Sequence, residues 1–269
     1  MKQIIESDCR LKGIIRDISE VAGILWERGW AERNAGNISV NISEYLSDSN
    51  IRPDNYPYRD LQDNYISLGE QWFLITITGG RMRDLARRPE ENILIIKVED
   101  SGRGYFVISE ANNKKTIMPT SELPTHLKIH KMIKERGSNQ KVVVHTHASE
   151  LIALTQVREY CSENKLNNIL WGMHPETIVF VPKGIGFVNF KTPGTGSIAE
   201  ATLIALADHD IAIWEKHGVF SIGTDIIETF DAIDILAKSA RIFFMCKNAG
   251  LEPEGLSDSQ LEELRKIDF

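Results

Sequence analysis

The chain has 269 residues, 42% hydrophobic and 26% charged, an ordinary balance for a globular protein of one large domain or two small ones. Its net charge of −7 argues against a polyanion such as nucleic acid as the main partner, while a local pocket can still bind one phosphate. No apolar run approaches the roughly 18 residues of a membrane span, and Met1–Arg10, with Glu6 and Asp8, lacks the apolar core of a signal peptide.

Leu11, Ile14, Ile15, Ile18, Val21, Ala22 and Leu25 recur at helical spacing, so Asp8–Arg28 reads as an amphipathic helix, with Gly29 as its C-cap. Asn34-Ala-Gly-Asn37 is then a turn and Ile38–Ile42 a strand. Ser43–Gly69 is polar, with Pro53, Pro57 and four tyrosines, and reads as a long insert with little regular structure. Strands are expected at Trp72–Thr78, Ile93–Val98, Gly104–Ile108 and Lys141–His147. Further strands are expected at Ile178–Val181, Ile185–Val188, Ile211–Trp214 and Val219–Ile222. Between them, Thr120-Ser-Glu-Leu-Pro124 opens a helix that runs to Arg136 and ends at Gly137. Ser197…Glu200 has capping-box spacing, as does Ser257…Gln260, and Ile226–Ala249 is a long helix closed by Gly250. The pattern predicts a single α/β domain over residues 1–269 with a mostly antiparallel or mixed sheet. Nucleotide-binding glycine motifs are absent from the sequence. Cys9, Cys161 and Cys246 are odd in number and widely spaced, which fits reduced thiols in the cytoplasm.

His145-Thr-His147 carries the sharpest chemical signal. Residues two apart on a strand face one side, so both imidazoles can ligate one metal. Alone, the pair fits equally two polar residues at a strand exit. His217-Gly218, at the end of a second strand, tips the reading toward a three-histidine metal site with a coordination position left for substrate. The residues after the pair, Ala148-Ser-Glu150, do not fit a metallo-hydrolase of the HxHxDH type, and a cupin needs a nearly all-β chain. Glu122 is a candidate acid/base, although a first-turn glutamate also favours the helix dipole, and the residues alone favour that second role. Asn34–Asn37, Thr78-Gly79-Gly80-Arg81 and Thr120-Ser121 are donor-rich loops that can cradle a phosphate, although each alone is more often an ordinary turn.

Taken together, Gly29-Trp-Ala-Glu-Arg-Asn-Ala-Gly-Asn37, Pro119-Thr-Ser-Glu-Leu-Pro-Thr-His126, Val144-His-Thr-His-Ala148 with Leu151–Thr155, and Trp214-Glu-Lys-His-Gly-Val-Phe220 resemble the class II aldolase/adducin family, nearly end to end. The resemblance implies an α/β/α fold assembled as a homotetramer with shared active sites. It also implies reversible cleavage of a ketose 1-phosphate, L-rhamnulose 1-phosphate, to dihydroxyacetone phosphate and L-lactaldehyde. One zinc per subunit is implied at His145, His147 and His217, with Glu122 moving a proton at carbon 3. The phosphate is expected among Asn34, Gly36, Asn37, Thr78, Gly79, Gly80, Thr120 and Ser121. Leu170-Trp-Gly-Met-His-Pro-Glu-Thr177 aligns with the family segment that carries a second acid, so Glu176 is expected to act at the neighbouring subunit's site. His126 and His130, one helical turn apart, are expected not to be ligands. The chain departs from the family in reading Asn-Ala-Gly-Asn for Asn-Gly-Gly-Asn, and Thr78-Gly-Gly-Arg81 for a Gly-Ser-Gly-Lys loop one residue longer. The same family holds fuculose-phosphate-type aldolases, pentulose-phosphate 4-epimerases and non-catalytic adducin-like domains. The retained histidines and Glu122 argue against the last of these.

Overall fold

A computed structural model describes residue 4 and residues 8–46, 51–108 and 117–267. Residues 47–50, inside the polar insert, and most of the N-terminal stretch judged against a signal peptide lie outside them. Two compact units emerge, residues 1–144 with 223–227 and residues 145–222 with 228–269. No helix among the described residues is long and apolar enough to cross a membrane.

The first unit opens with α1 (Cys9–Glu27), whose Leu11, Ile15, Ile18, Val21, Ala22 and Leu25 are buried on one stripe. Asp8 caps its start by accepting from the Arg10 N–H, and Gly29, at φ 73°, closes its end, with the Trp30 N–H on the Leu25 carbonyl. Then come β1 (Asn37–Asn41), a helical turn α2 (Ser43–Leu46), β2 (Tyr58–Asp60) and β3 (Trp72–Thr76). The short helices α3 (Met82–Arg87) and α4 (Pro89–Asn92), β4 (Ile93–Val98), β5 (Gly104–Ile108) and α5 (Leu123–Glu135) complete it. Its strands run in the order β2-β5-β4-β3-β1, every pair antiparallel.

Side chains two apart along these strands share a face. Phe73 and Ile75, Leu94, Ile96 and Val98, and Tyr105 and Val107 therefore form one apolar surface, and Leu123 and Leu127 from the start of α5 are buried on it. Ser39 pairs with Ile75 in the β1–β3 register, which puts its side chain on this same α5-facing surface. The Ser43–Gly69 stretch is more ordered than expected. It holds a 3-10 turn at Pro53–Asn55, the strand β2 against β5, and a 3-10 turn at Ile66–Leu68 beside buried Tyr65. β2 is a three-residue edge strand made by backbone pairing, and Tyr58-Arg59-Asp60 shows no apolar alternation to announce it.

β6 (Val142–Thr146) begins in the first unit and ends in the second. The second unit continues with α6 (Ser149–Leu154), α7 (Glu163–Met173), α8 (Pro175–Phe180), β7 (Gly186–Val188), α9 (Gly196–Ala205), β8 (Ile211–Trp214), β9 (Gly218–Gly223), α10 (Ile226–Asn248) and α11 (Asp258–Leu264). β7 and β8 are parallel and joined through α9, and β8 and β9 are antiparallel. Strand pairing is thus mixed and mostly antiparallel, with helices interspersed, the α/β class expected. Ile178–Val181 is no strand. Pro175 presets the first turn of α8, Ile178 is buried, and the Thr177 hydroxyl meets that of Ser239 at 2.6 Å, so packing overrides the β-branched run. The Ser197–Glu200 box is also absent, because α9 starts two residues earlier than that box requires, with Thr195 as N-cap, whose hydroxyl bonds the Thr192 carbonyl instead. The Ser257–Gln260 box is present.

Candidate functional site

In the second unit three imidazoles converge. His145 leaves the buried Val142-Val143-Val144 run of β6, His147 follows just past the strand end, and His217 sits in the three-residue loop joining β8 to β9. Their ring centroids stand 4.9–5.3 Å apart, and one ligand atom from each lies within 4.8 Å of the others. His145 stacks on Phe220 at 4.3 Å and lies 5.3 Å from Trp214. The Trp214 indole N–H donates to Thr202 Oγ1 at 2.9 Å, which fixes the aromatic wall.

The local chain explains the convergence. The Lys216 N–H donates to the buried Thr155 hydroxyl oxygen at 2.8 Å, Lys216 itself adopts φ 59°, and the His217 N–H returns to the Trp214 carbonyl. Gly218 follows because nothing larger fits. A Cβ there would lie 2.5 Å from the Thr146 carbonyl oxygen and 3.1–3.2 Å from the rings of His147 and His145.

The donor set suits a divalent metal. His145 Nδ1 lies 3.0 Å from the Val219 carbonyl oxygen, which can only accept, so Nδ1 carries the proton and Nε2 keeps the lone pair. Burial first, then the neighbouring His147 and His217, hold the His145 imidazole well below its usual pKa and so in the neutral, ligating form.

In the first unit Glu122 is the N-cap residue of α5, yet its side chain makes no capping bond. Oε2 instead accepts from Asn37 Nδ2 at 2.8 Å. The other end of the Asn37 amide, Oδ1, meets His126 Nε2, and His126 Nδ1 lies 2.7 Å from Ser39 Oγ. Ser39 Oγ in turn lies 2.8 Å from His130 Nε2. Asn37, Ser39, His126 and His130 are all buried. Burial, then the nearby His126, push the His130 imidazole down to about 3.

The same unit gathers part of the expected phosphate cradle. The Thr78 N–H bonds the Met118 carbonyl, the Thr120 N–H bonds the Thr76 carbonyl, and the Ile38 N–H bonds Thr76 Oγ1. Asn37, the Thr76–Gly80 loop, Thr120 and Glu122 are therefore neighbours. Gly36 and Gly79 take φ 80° and 69°, conformations open to glycine. Asn34, Thr78 and Ser121 are exposed. The Thr78 and Gly80 amides are already engaged within the protein, Gly80 by the Ile77 carbonyl. Glu176 lies in the second unit, exposed in the first turn of α8, with Oε2 3.0 Å from His174 Nε2. Sequence reasoning missed the Ser39–His126–His130 chain. The signal for it was a serine inside an apolar strand and two histidines one turn apart.

With this geometry in place, residues 16–244 match the model of the Class II Aldolase and Adducin N-terminal domain. The chain is 41% identical over 267 residues to the rhamnulose-1-phosphate aldolase of Bacteroides thetaiotaomicron, covering 98% of this chain and 97% of that protein. It is 32% identical to its counterpart from Klebsiella pneumoniae, covering 95% and 91%. Among solved structures it is similar to a sugar-phosphate aldolase from Thermotoga maritima, with a TM-score of 0.76 at 33% identity, over 91% of this chain and 100% of that one. The chain belongs to the class II aldolase and adducin family.

Proposed function

We propose that this family member is a metal-dependent aldolase that reversibly cleaves L-rhamnulose 1-phosphate to dihydroxyacetone phosphate and L-lactaldehyde, in rhamnose catabolism. The observation that carries the reading is the meeting of His145, His147 and His217 in a chain similar over nearly its whole length to enzymes named for that activity. We take residues 1–269 to act as one catalytic domain, in the cytoplasm, within a homotetramer.

Zinc, held by the three histidines, would supply Lewis-acid chemistry at the ketose carbonyl. The chain's own residues do the rest. Cleavage removes a proton from the carbon-4 hydroxyl and adds one at carbon 3. In that direction Glu122 delivers the proton to carbon 3 and Glu176, from a neighbouring subunit, removes the hydroxyl proton, so two carboxylates divide the work. The phosphate is received among Asn34, Gly36, Asn37, Thr78, Gly79, Gly80, Thr120 and Ser121, by side-chain donors and by backbone N–H groups other than those of Thr78, Gly80 and Thr120, which bond within the protein.

The test is a panel of ketose phosphates assayed on purified protein together with its metal content. Cleavage of L-rhamnulose 1-phosphate in preference to L-fuculose 1-phosphate, with one metal per chain, supports the reading. Preference for fuculose 1-phosphate, or 4-epimerisation of a pentulose phosphate, would move it to another branch of the family. Glu122→Gln should abolish solvent exchange of the dihydroxyacetone-phosphate proton while leaving the metal bound.

A further inference from the structure

We infer that Ser39, His126 and His130 are positioning residues that act on Glu122 through Asn37, as a hydrogen-bond relay of one fixed polarity. The functional half of this inference rests on Glu122 being the acid/base proposed above.

The polarity follows from what each atom can do. A carboxylate oxygen only accepts, so at the 2.8 Å contact Asn37 must present Nδ2 to Glu122. Its Oδ1 then faces His126 and must accept from His126 Nε2–H. With the buried rings neutral, as burial favours, His126 has no second proton, and its Nδ1 is an acceptor. Only the Ser39 hydroxyl can donate there, at 2.7 Å. Ser39 has then used its proton, so its oxygen accepts from His130 Nε2–H at 2.8 Å. Every donor in the chain therefore points toward Glu122. Reversing any one link would bring two donors or two acceptors face to face in a buried place.

The packing shows why the relay is rigid. Ser39 stands on the α5-facing surface, opposite Ile75, and Leu123 and Leu127 fasten the first turns of α5 to that surface. His130 also lies against the Phe73 ring at 4.7 Å. The relay thus bonds the glutamate at the head of α5 directly to Asn37 of β1, and then alternates between that strand and α5 through His126, Ser39 and His130. A carboxylate so held keeps one orientation through the reaction, which is what proton transfer at a fixed carbon needs.

The experiment has two arms, both on the full chain. Nitrogen-15 spectra of histidine-labelled protein should show His126 and His130 as neutral Nε2–H tautomers. An Nδ1–H tautomer at His126 overturns the polarity. In the second arm, Ser39→Ala should slow solvent exchange of the dihydroxyacetone-phosphate proton by about tenfold. KM and metal content should be unchanged, and Ser39→Thr should restore most of the rate. Wild-type exchange in Ser39→Ala alongside lost exchange in Glu122→Gln overturns the relay and spares the acid/base reading. Retained exchange in Glu122→Gln overturns both. If Ser39→Ala does not fold, the tautomers in the unaltered protein still decide the wiring.

Discussion

Two histidine pairs in this chain stand in different surroundings. His126 and His130 are four apart on α5, and His145 and His147 are two apart at the end of β6. Both spacings put two rings on one face, so spacing alone does not separate them. What lies between the rings does. On α5 a serine hydroxyl and an asparagine amide alternate with the imidazoles, and both His126 nitrogens and His130 Nε2 meet a group of opposite hydrogen-bonding sense. At β6 the rings meet one another and a third imidazole, walled by Phe220 and Trp214. Polar spacers suit a relay; apolar walls around clustered lone pairs suit a metal.

The sharpest way to separate the pairs is to remove one member of each set. His217→Ala should lose its metal on dialysis and lower kcat by more than about a hundredfold, since even outer-shell changes commonly cost 10–100-fold. His130→Gln should keep a wild-type metal stoichiometry. Full metal occupancy in His217→Ala, measured by elemental analysis, would dissolve the distinction.

Gly218 tests whether the metal centre depends on close approach of backbone as well as on its ligands. An alanine Cβ there would lie 2.5 Å from the Thr146 carbonyl oxygen, and backbone cannot step aside as a flexible side chain can. β9 must move away from the end of β6, carrying His217 off its partners. Gly218→Ala should weaken metal binding by roughly 10–100-fold and destabilise the fold by about 1–3 kcal/mol. Unchanged metal affinity in a titration would show that the ligands adjust independently of the strands.

Much of this was legible in the sequence, and the exceptions have physical causes. Strand and helix positions followed from periodicity, because β3, β4 and β6 are buried runs and α1 a clean amphipathic stripe. The convergence of His145 and His147 could be read because strand geometry maps i, i+2 directly onto one face. β2 escaped because edge pairing is written in backbone, and α8 because a buried Ile178 and the Thr177–Ser239 contact outweigh local propensity. The relay escaped because its links span 85–91 residues, and no local pattern joins Ser39 to His130 or Asn37 to Glu122.

The relay also predicts a pH signature. His130 is held at about 3 in the fold against an ordinary 6.5, by burial first and the nearby His126 second. Below about 6.5 the unfolded chain binds a proton that the folded chain refuses. This contribution to stability is therefore complete above 6.5 and is lost progressively as the pH falls toward 3. The loss runs at up to about 1.4 kcal/mol per pH unit in the middle of that window. His130→Gln keeps a donor for Ser39 but cannot take the proton. Its unfolding free energy should fall less steeply between pH 6.5 and 4 than that of the unaltered protein. Parallel slopes in urea titrations across that range would mean that His130 opens to water before it charges.

The smallest effect is expected at Thr155, which no metal-binding pattern would pick out. Its hydroxyl oxygen accepts the Lys216 N–H at 2.8 Å and its proton goes to the Ile152 carbonyl at 2.8 Å, so it ties the His217 loop to the end of α6. Lys216 sits at φ 59°, a conformation unfavourable for a residue with a Cβ, and the bond helps to hold it there. Valine matches the shape of threonine but offers no acceptor. Because Lys216 is exposed, water can take the abandoned N–H, and the stability cost should be only about 0.5–1.5 kcal/mol. The larger consequence is kinetic. A loop free to leave its left-handed turn lets His217 detach more often, so metal release to a chelator should quicken a few-fold while the equilibrium metal content at saturating metal stays the same. Thr155→Ser, which keeps the hydroxyl, should release metal at the wild-type rate. If Thr155→Val and the unaltered protein release metal equally fast, the loop is held by the β8–β9 hairpin itself, and the metal centre is less dependent on its neighbours than the relay is.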